Sequence, residues 1–124
     1  MEIFFELLPQ AAPFKPRSRV FDLKSRLDWG EPALTIVDAR PRAAFNECHI
    51  MGAIPLAADE LVARAQVNLE VDRDIYVYGE TDEETEAAAA SLRGAGYKRV
   101  SEIVGGLAAW KAVNYEVEKT AVAV

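Results

Sequence analysis

The sequence predicts an α/β domain built on a parallel sheet, and three observations carry that expectation. Short runs at 33–37, 75–78 and 99–104, rich in apolar and β-branched residues, read as buried strands. Segments with helical spacing lie between them. Strands that alternate with helices imply parallel pairing, right-handed crossovers and helices on both faces of the sheet. At 124 residues the chain has room for one domain. A domain of that size buries roughly two thirds of its unfolded surface, enough for one unstapled core.

Residues 1–17 read as an N-terminal arm, 18–117 as the domain and 118–124 as a weakly patterned tail. Pro9, Pro13 and Pro16 interrupt regular structure in the arm. Ile3, Phe4, Phe5, Leu7, Leu8 and Phe14 make it too apolar for a free linker. Two readings stay open: an arm packed back on the domain, or a surface for a partner or for a second copy of the chain, giving a homodimer.

Ser18 is expected to cap a helix running to about Trp29, with Val20, Leu23 and Leu27 at helical spacing and Trp29 covering its end. Gly30-Glu31-Pro32 ends it, and Ala33 to Val37 forms the first strand. Asp38-Ala39-Arg40 leaves that strand, and Pro41 opens a short helix through Phe45. Gly52 to Leu56 is a short extended piece. Asp59 is expected to cap the next helix, with Leu61, Val62 and Ala65 inward. The strand Ile75–Tyr78 runs into Gly79 to Glu84, then an Ala-rich helix from Thr85 to Arg93 closed by Gly94 and Gly96. After the strand Arg99–Val104, Gly105-Gly106 makes a tight turn into a last helix, Leu107 to Ala112, where Trp110 packs with Leu107 and Val113. Sites in such sheets lie where strands end and helices begin, so the loops after Val37 and Tyr78 are the places to look.

Fourteen Lys and Arg against 20 Asp and Glu give a net charge of -6. An acidic chain is repelled by nucleic acid and by anionic lipid, so neither is an expected partner. No stretch approaches the roughly 18 apolar residues of a membrane span. The opening MEIFFELLPQ lacks the basic start of a signal peptide. The single cysteine, Cys48, excludes an intrachain disulfide and a cysteine-cluster metal site, and one lone histidine, His49, adds no metal argument. No G-x-G-x-x-G follows a strand, so no nucleotide fingerprint is present. No cofactor or metal is therefore expected, and a lone thiol fits a reducing, cytoplasmic setting.

The order of the motifs is similar to that of one family. Ile36-Val37-Asp38-Ala39-Arg40-Pro41, then Phe45, then His49-Ile50-Met51-Gly52-Ala53, resembles the first signature of the rhodanese-like family. Asp74 to Tyr78 resembles the strand that delivers that family's active-site loop, and Val104-Gly105-Gly106-Leu107-Ala108-Ala109-Trp110 resembles its closing signature. The resemblance runs from about Val20 to Val117. It implies a five-stranded parallel sheet flanked by helices on both faces. Active members are sulfurtransferases. A Cys at the end of the central strand takes sulfur from a thiosulfate-type donor, becomes a persulfide and hands the sulfur to an acceptor. The loop after that Cys curls its backbone N–H groups into an anion nest, often with Arg nearby.

The resemblance puts Gly79 where that Cys belongs, and glycine has no nucleophile. The loop continues Glu80, Thr81, Asp82, Glu83, Glu84 and Thr85; Glu84 stands where Arg is common, and Thr85 matches a small hydroxyl residue of the family. A carboxylate 4 Å from a bound anion costs about 1 kcal/mol in water and roughly 4 near a protein surface. The same carboxylates suit a helix N-terminus, with Thr81 or Asp82 as cap. Three readings of the segment stay open: a capped helix start and nothing more, an acidic recognition loop for a basic protein partner, or a cation site.

The expected function is a binding or regulatory module without sulfurtransferase activity. The alternative is a divergent sulfurtransferase or sulfur carrier that uses Cys48 as its persulfide site. Cys48 stands where the family usually has Gly, and its plain reading is a small half-buried thiol. His49 is expected to bond backbone near the strand ends. Asp38 and Arg40 resemble family residues at the carboxyl edge of the sheet and are expected to order neighbouring loops. Gly105, Gly106 and Trp110 belong to the closing motif.

Overall fold

In the computed structural model of the chain, residues 14–30 and 33–120 are described. Most of the N-terminal arm and the last four residues of the tail lie outside them. The elements are β1 (Arg17–Ser18), α1 (Val20–Asp28), β2 (Leu34–Asp38), α2 (Arg42–Glu47), β3 (His49–Ile50), β4 (Ile54–Pro55), α3 (Leu61–Asn68), β5 (Asp74–Tyr78), α4 (Asp82–Gly94), β6 (Val100–Ile103), α5 (Gly106–Ala112) and β7 (Val117–Glu118). Five strands form a parallel sheet in the order β1-β6-β5-β2-β4. β5 lies at its centre. Pro55 stands in the edge strand β4, where a missing N–H leaves no ladder bond broken.

The two faces follow from strand alternation. Ile75 and Val77 point into one core, packed with Val37, Leu61, Ala65, Ala89 and Leu92 beneath α3 and α4. Tyr76 and Tyr78 point into the other, with Leu23, Ile36, Phe45, Ile103 and Trp110 beneath α1, α2 and α5. Strands covered on both faces have no solvent side, so Ile36, Val37, Ile75 and Val77 are all essentially inaccessible. The second face is closed by β3 and β7, which pair antiparallel (His49 with Glu118, Ile50 with Val117). Two-residue strands leave no pattern in a sequence, and the weakly patterned end of the chain gave no sign of this pair.

Several expected boundaries move. Ser18 does not cap α1. It lies in β1, and its hydroxyl shares a 2.5 Å hydrogen bond with the Ser101 hydroxyl. Arg19 takes the cap position, with its N–H donating to the Asp22 carboxylate at 2.9 Å. Asp59 does not cap α3 either. Residues 57–60 close on their own backbone (Glu60 N–H to Ala57 O, 2.9 Å), so the helix starts at Leu61 and Asp59 stays exposed. Trp29 does not cover the end of α1. The last turn closes through its backbone N–H on Ser25, and the side chain is 83% exposed. Val113 is half exposed, whereas Trp110 is buried and donates its indole N–H to the Glu116 carbonyl at 2.7 Å. α4 begins at Asp82, three residues before Thr85. No helix among the described residues is long and apolar enough to cross a membrane.

Candidate functional site

The site is the carboxyl edge of the sheet, where β2 and β5 end side by side (Asp38 pairs with Tyr78). Asp38 ends β2 and Arg40 follows two residues on; together they form one buried unit. Arg40 Nε reaches Asp38 Oδ1 at 3.0 Å and Oδ2 at 3.2 Å, and Nη2 reaches Oδ2 at 2.7 Å. The Arg40 backbone N–H donates to Asp38 Oδ1 at 2.9 Å. Asp38 is fully buried, and such a charge is held only when paired and hydrogen-bonded. Arg40 extends the unit to the α2–β3 junction by donating to the Cys48 carbonyl at 2.5 Å.

Tyr78 joins the same unit from β5. Its hydroxyl donates to Asp38 Oδ2 at 2.6 Å and accepts the Ile50 N–H at 3.1 Å. The arrangement therefore ties β2, β5 and β3 together. Burial, reinforced by the Asp38 charge and hydrogen bond, pushes the Tyr78 hydroxyl far above the ordinary tyrosine range. Burial works against the Arg40 charge, but the bonds and charge of Asp38 outweigh it and hold its pKa above the usual value. Sequence reasoning overlooked Tyr78, because a tyrosine inside an apolar run reads as strand packing. The available signal was its place at the end of the central strand, where the hydroxyl needs a buried partner.

Beyond Tyr78 the chain turns directly into α4. Thr81 is the cap: its Oγ1 accepts the Glu84 N–H at 3.1 Å. Thr85 Oγ1 accepts the Gly79 N–H at 2.8 Å and donates to the Thr81 carbonyl at 3.0 Å. Glu84 folds back so that its Oε2 accepts the Glu80 N–H at 3.1 Å. Asp82 Oδ1 accepts the Gly105 N–H at 2.9 Å, fixing the segment to the start of α5. Gly105 and Gly106 have φ of +78° and +50°, left-handed values that glycine adopts without strain. A Cβ on Gly105 would lie 2.6 Å from that of Ala109. The segment is thus a capped helix start, with Asp82, Glu83 and Glu84 favouring the positive end of the helix.

Gly79 is buried under this turn. A Cβ there would lie 2.9 Å from Glu84 Cβ and 3.1 Å from the Thr85 nitrogen, too close for either to stay in place. Glu80, Asp82, Glu83 and Glu84 are exposed, and the nearest guanidinium is Arg40, with Nη1 4.0 Å from Glu80 Oε2.

The remaining sequence candidates fall into supporting places. His49 is buried, stacks on Phe45 with ring centres 3.7 Å apart, and donates from Nδ1 to the Phe45 carbonyl at 2.7 Å. Cys48 is half-buried at the carboxyl end of α2, with its N–H on the Ala44 carbonyl. That end of a helix presents carbonyls, whereas an activated thiolate calls for amides or cations, and the cation at hand, Arg40, is bonded to the Cys48 carbonyl and to Asp38. Among the described residues, no group of three or more His, Cys, Asp or Glu is arranged to hold a metal ion.

A parallel five-stranded domain with this edge defines a class, and comparison with known proteins gives it its family. The model of the rhodanese-like domain matches residues 20–113, so the chain belongs to the rhodanese-like family. A crystal structure of the Alr3790 protein from Anabaena superposes with a TM-score of 0.82 at 53% identity, covering 85% of this chain and 94% of that one. Among curated relatives, a Bacillus subtilis protein named as a sulfur carrier, YrkF, is 29% identical over 87 residues, 70% of this chain and 46% of its own length. The adenylyltransferase and sulfurtransferase UBA4 of Candida albicans is 32% identical over 82 residues, 60% of this chain and 19% of its own. The chain thus spans less than half of either curated relative.

Proposed function

We propose that this rhodanese-like domain is a protein-binding module that does not transfer sulfur, and that its partner is basic. One observation carries the reading: residues 79–85 form a helix start closed on itself. The strand end offers no thiol. The N–H groups of Gly79, Glu80 and Glu84 are already bonded to Thr85, Glu84 and Thr81. An arriving anion would have to displace those bonds and meet exposed carboxylates, each repelling it by about 1 kcal/mol at 4 Å even in water. The same carboxylates attract cations.

A second reading, sulfur carriage on Cys48, is favoured by the names of the curated relatives and by the bond from Arg40 to the Cys48 carbonyl, which ties that residue to the same edge. In that step a Cys48 thiolate attacks the outer sulfur of thiosulfate, the S–S bond breaks with release of sulfite, and a persulfide remains. Cyanide then removes the sulfur as thiocyanate. Intact mass spectrometry before and after thiosulfate, with a cyanide chase, separates the two. No mass gain is expected. A gain of one sulfur that cyanide removes, and that Cys48→Ala abolishes, would replace the first reading with the second.

A further inference from the structure

Beside the Asp38–Arg40 unit, a groove of about 700 Å³ runs between the 57–61 turn and α4. Its floor is apolar: Ala39, Leu61 and Ala88 are buried there, and Ala87 lies exposed along one wall. Carboxylates stand on both walls: Asp59 on one, beside Glu60, which pairs with Arg64 at 3.2 Å, and on the other Glu84, whose Oε2 also accepts the Glu80 N–H. One cation, the exposed Arg42, also lines it, with Nε on Asn46 at 3.4 Å and the guanidinium over the Phe45 ring at 5.8 Å, against the three carboxylates. We infer that this groove docks an extended segment of another protein, in which an aliphatic side chain is flanked on both sides by lysine or arginine.

The inference rests on the binding role proposed above and gives it a place and a partner chemistry. An uncharged floor of small side chains accepts an aliphatic group without burying a polar one. Carboxylates on opposite walls meet a cation before and after that group, and reject an acidic segment. A second open face among the described residues behaves differently. A cavity of about 670 Å³ near Leu27, Met51 and Tyr115 has Lys24 beside Asp28 and Glu116 on its rim, so its charges select no partner.

The test is NMR titration of the isotope-labelled chain with the synthetic peptide Lys-Arg-Ser-Leu-Ser-Arg-Lys. Amide shifts are expected at 57–61 and 84–91. Replacing the leucine by glycine, or all four cations by glutamate, is expected to weaken binding at least tenfold. Ala87→Trp, at an exposed position, fills the groove, and Asp59→Lys reverses one wall; each is expected to raise Kd about tenfold. Val67→Ser, on the exposed side of α3, is expected to leave Kd unchanged. Absence of binding, indifference to the leucine, or shifts confined to 107–116 would each overturn the groove. Shifts at 57–61 and 84–91 that grow with protein concentration alone would identify a second copy of the chain as the occupant and overturn the assignment to another protein. These failures are distinct from failure of the proposed function, which the sulfur mass gain reports without any peptide.

Discussion

Residues 38–40 and 79–85 leave neighbouring strands at the same edge of the sheet, yet they are built in opposite ways. The first segment is buried and charged. Asp38, Arg40 and Tyr78 satisfy one another and fix three strands and the α2–β3 junction. Residues 80–84 of the second are exposed and acidic, and its bonds run within six residues apart from the link of Asp82 to Gly105 and the pairing of Glu80 with Arg40 at 4.0 Å. The difference teaches that the support of this edge is independent of any chemistry performed there. The buried unit holds the strand ends through bonds that none of residues 79–85 makes.

The largest expected effect breaks the buried half. Asp38→Ala leaves Arg40 inside with only the exposed Glu80 carboxylate, 4.0 Å away, as counter-charge and deprives the Tyr78 hydroxyl of its acceptor. Removing one partner of a buried pair typically costs about 3–5 kcal/mol. Urea unfolding should show a loss of that order. A loss below about 1 kcal/mol would mean that Arg40 swings out to Glu80 and that the unit is not what holds the edge.

The next effect tests the exposed half. Gly79→Cys puts a thiol at the end of β5, but its Cβ meets Glu84 Cβ at 2.9 Å beneath the first turn of α4. Overpacking of this kind costs about 1–3 kcal/mol. The variant should unfold at lower urea and still show no thiosulfate-dependent thiocyanate production. Robust turnover would show that the turn opens readily and that its carboxylates do not bar an anion.

The same contrast explains what was legible in the sequence. Strands β2, β4, β5 and β6, the parallel architecture and the two loops that form the edge follow from apolar runs and from glycines and prolines between them, whereas β1, β3 and β7 do not. Asp38, Arg40, His49 and Gly79 could be picked out because their motifs stand in a fixed order. Tyr78 could not, since its role depends on Asp38 and Ile50, 40 and 28 residues away. The start of α4 was ambiguous because Asp82, Glu83 and Glu84 suit a loop and a first helical turn equally. The cap bond from Thr81 decides between them. The groove joins 57–61 to 84–91, and no local pattern announces such a meeting.

A smaller effect checks that the cap is what closes the second segment. Thr81→Ala removes the acceptor of the Glu84 N–H, and loss of such a cap costs about 1 kcal/mol. Thr81→Ser should restore most of it. Hydrogen exchange at 82–85 should rise in the alanine variant while Ile50 N–H, bonded to Tyr78, stays protected. Equal loosening at both places would mean that the two segments are coupled after all.

The smallest effect lies at the other end of β5 and isolates the carboxyl edge from general acid sensitivity. Burial alone would raise the carboxyl pKa of Asp74, but hydrogen bonds and charge from Arg99 and Arg26 outweigh it and hold the group below its ordinary 3.8. A carboxylate depressed on folding contributes stability that is complete above the unfolded value and is lost as pH falls through the folded one. Asp74 should therefore make no pH-dependent difference near neutrality and a growing one below about pH 4. Arg99 is half exposed, so salt should shrink the contribution. Asp74→Asn should flatten the acid limb of a stability-against-pH curve while leaving the amide resonances at 79–85 unmoved. Movement of those resonances in the variant would show that the far end of β5 reaches the edge, and the independence argued from the two segments would then fail.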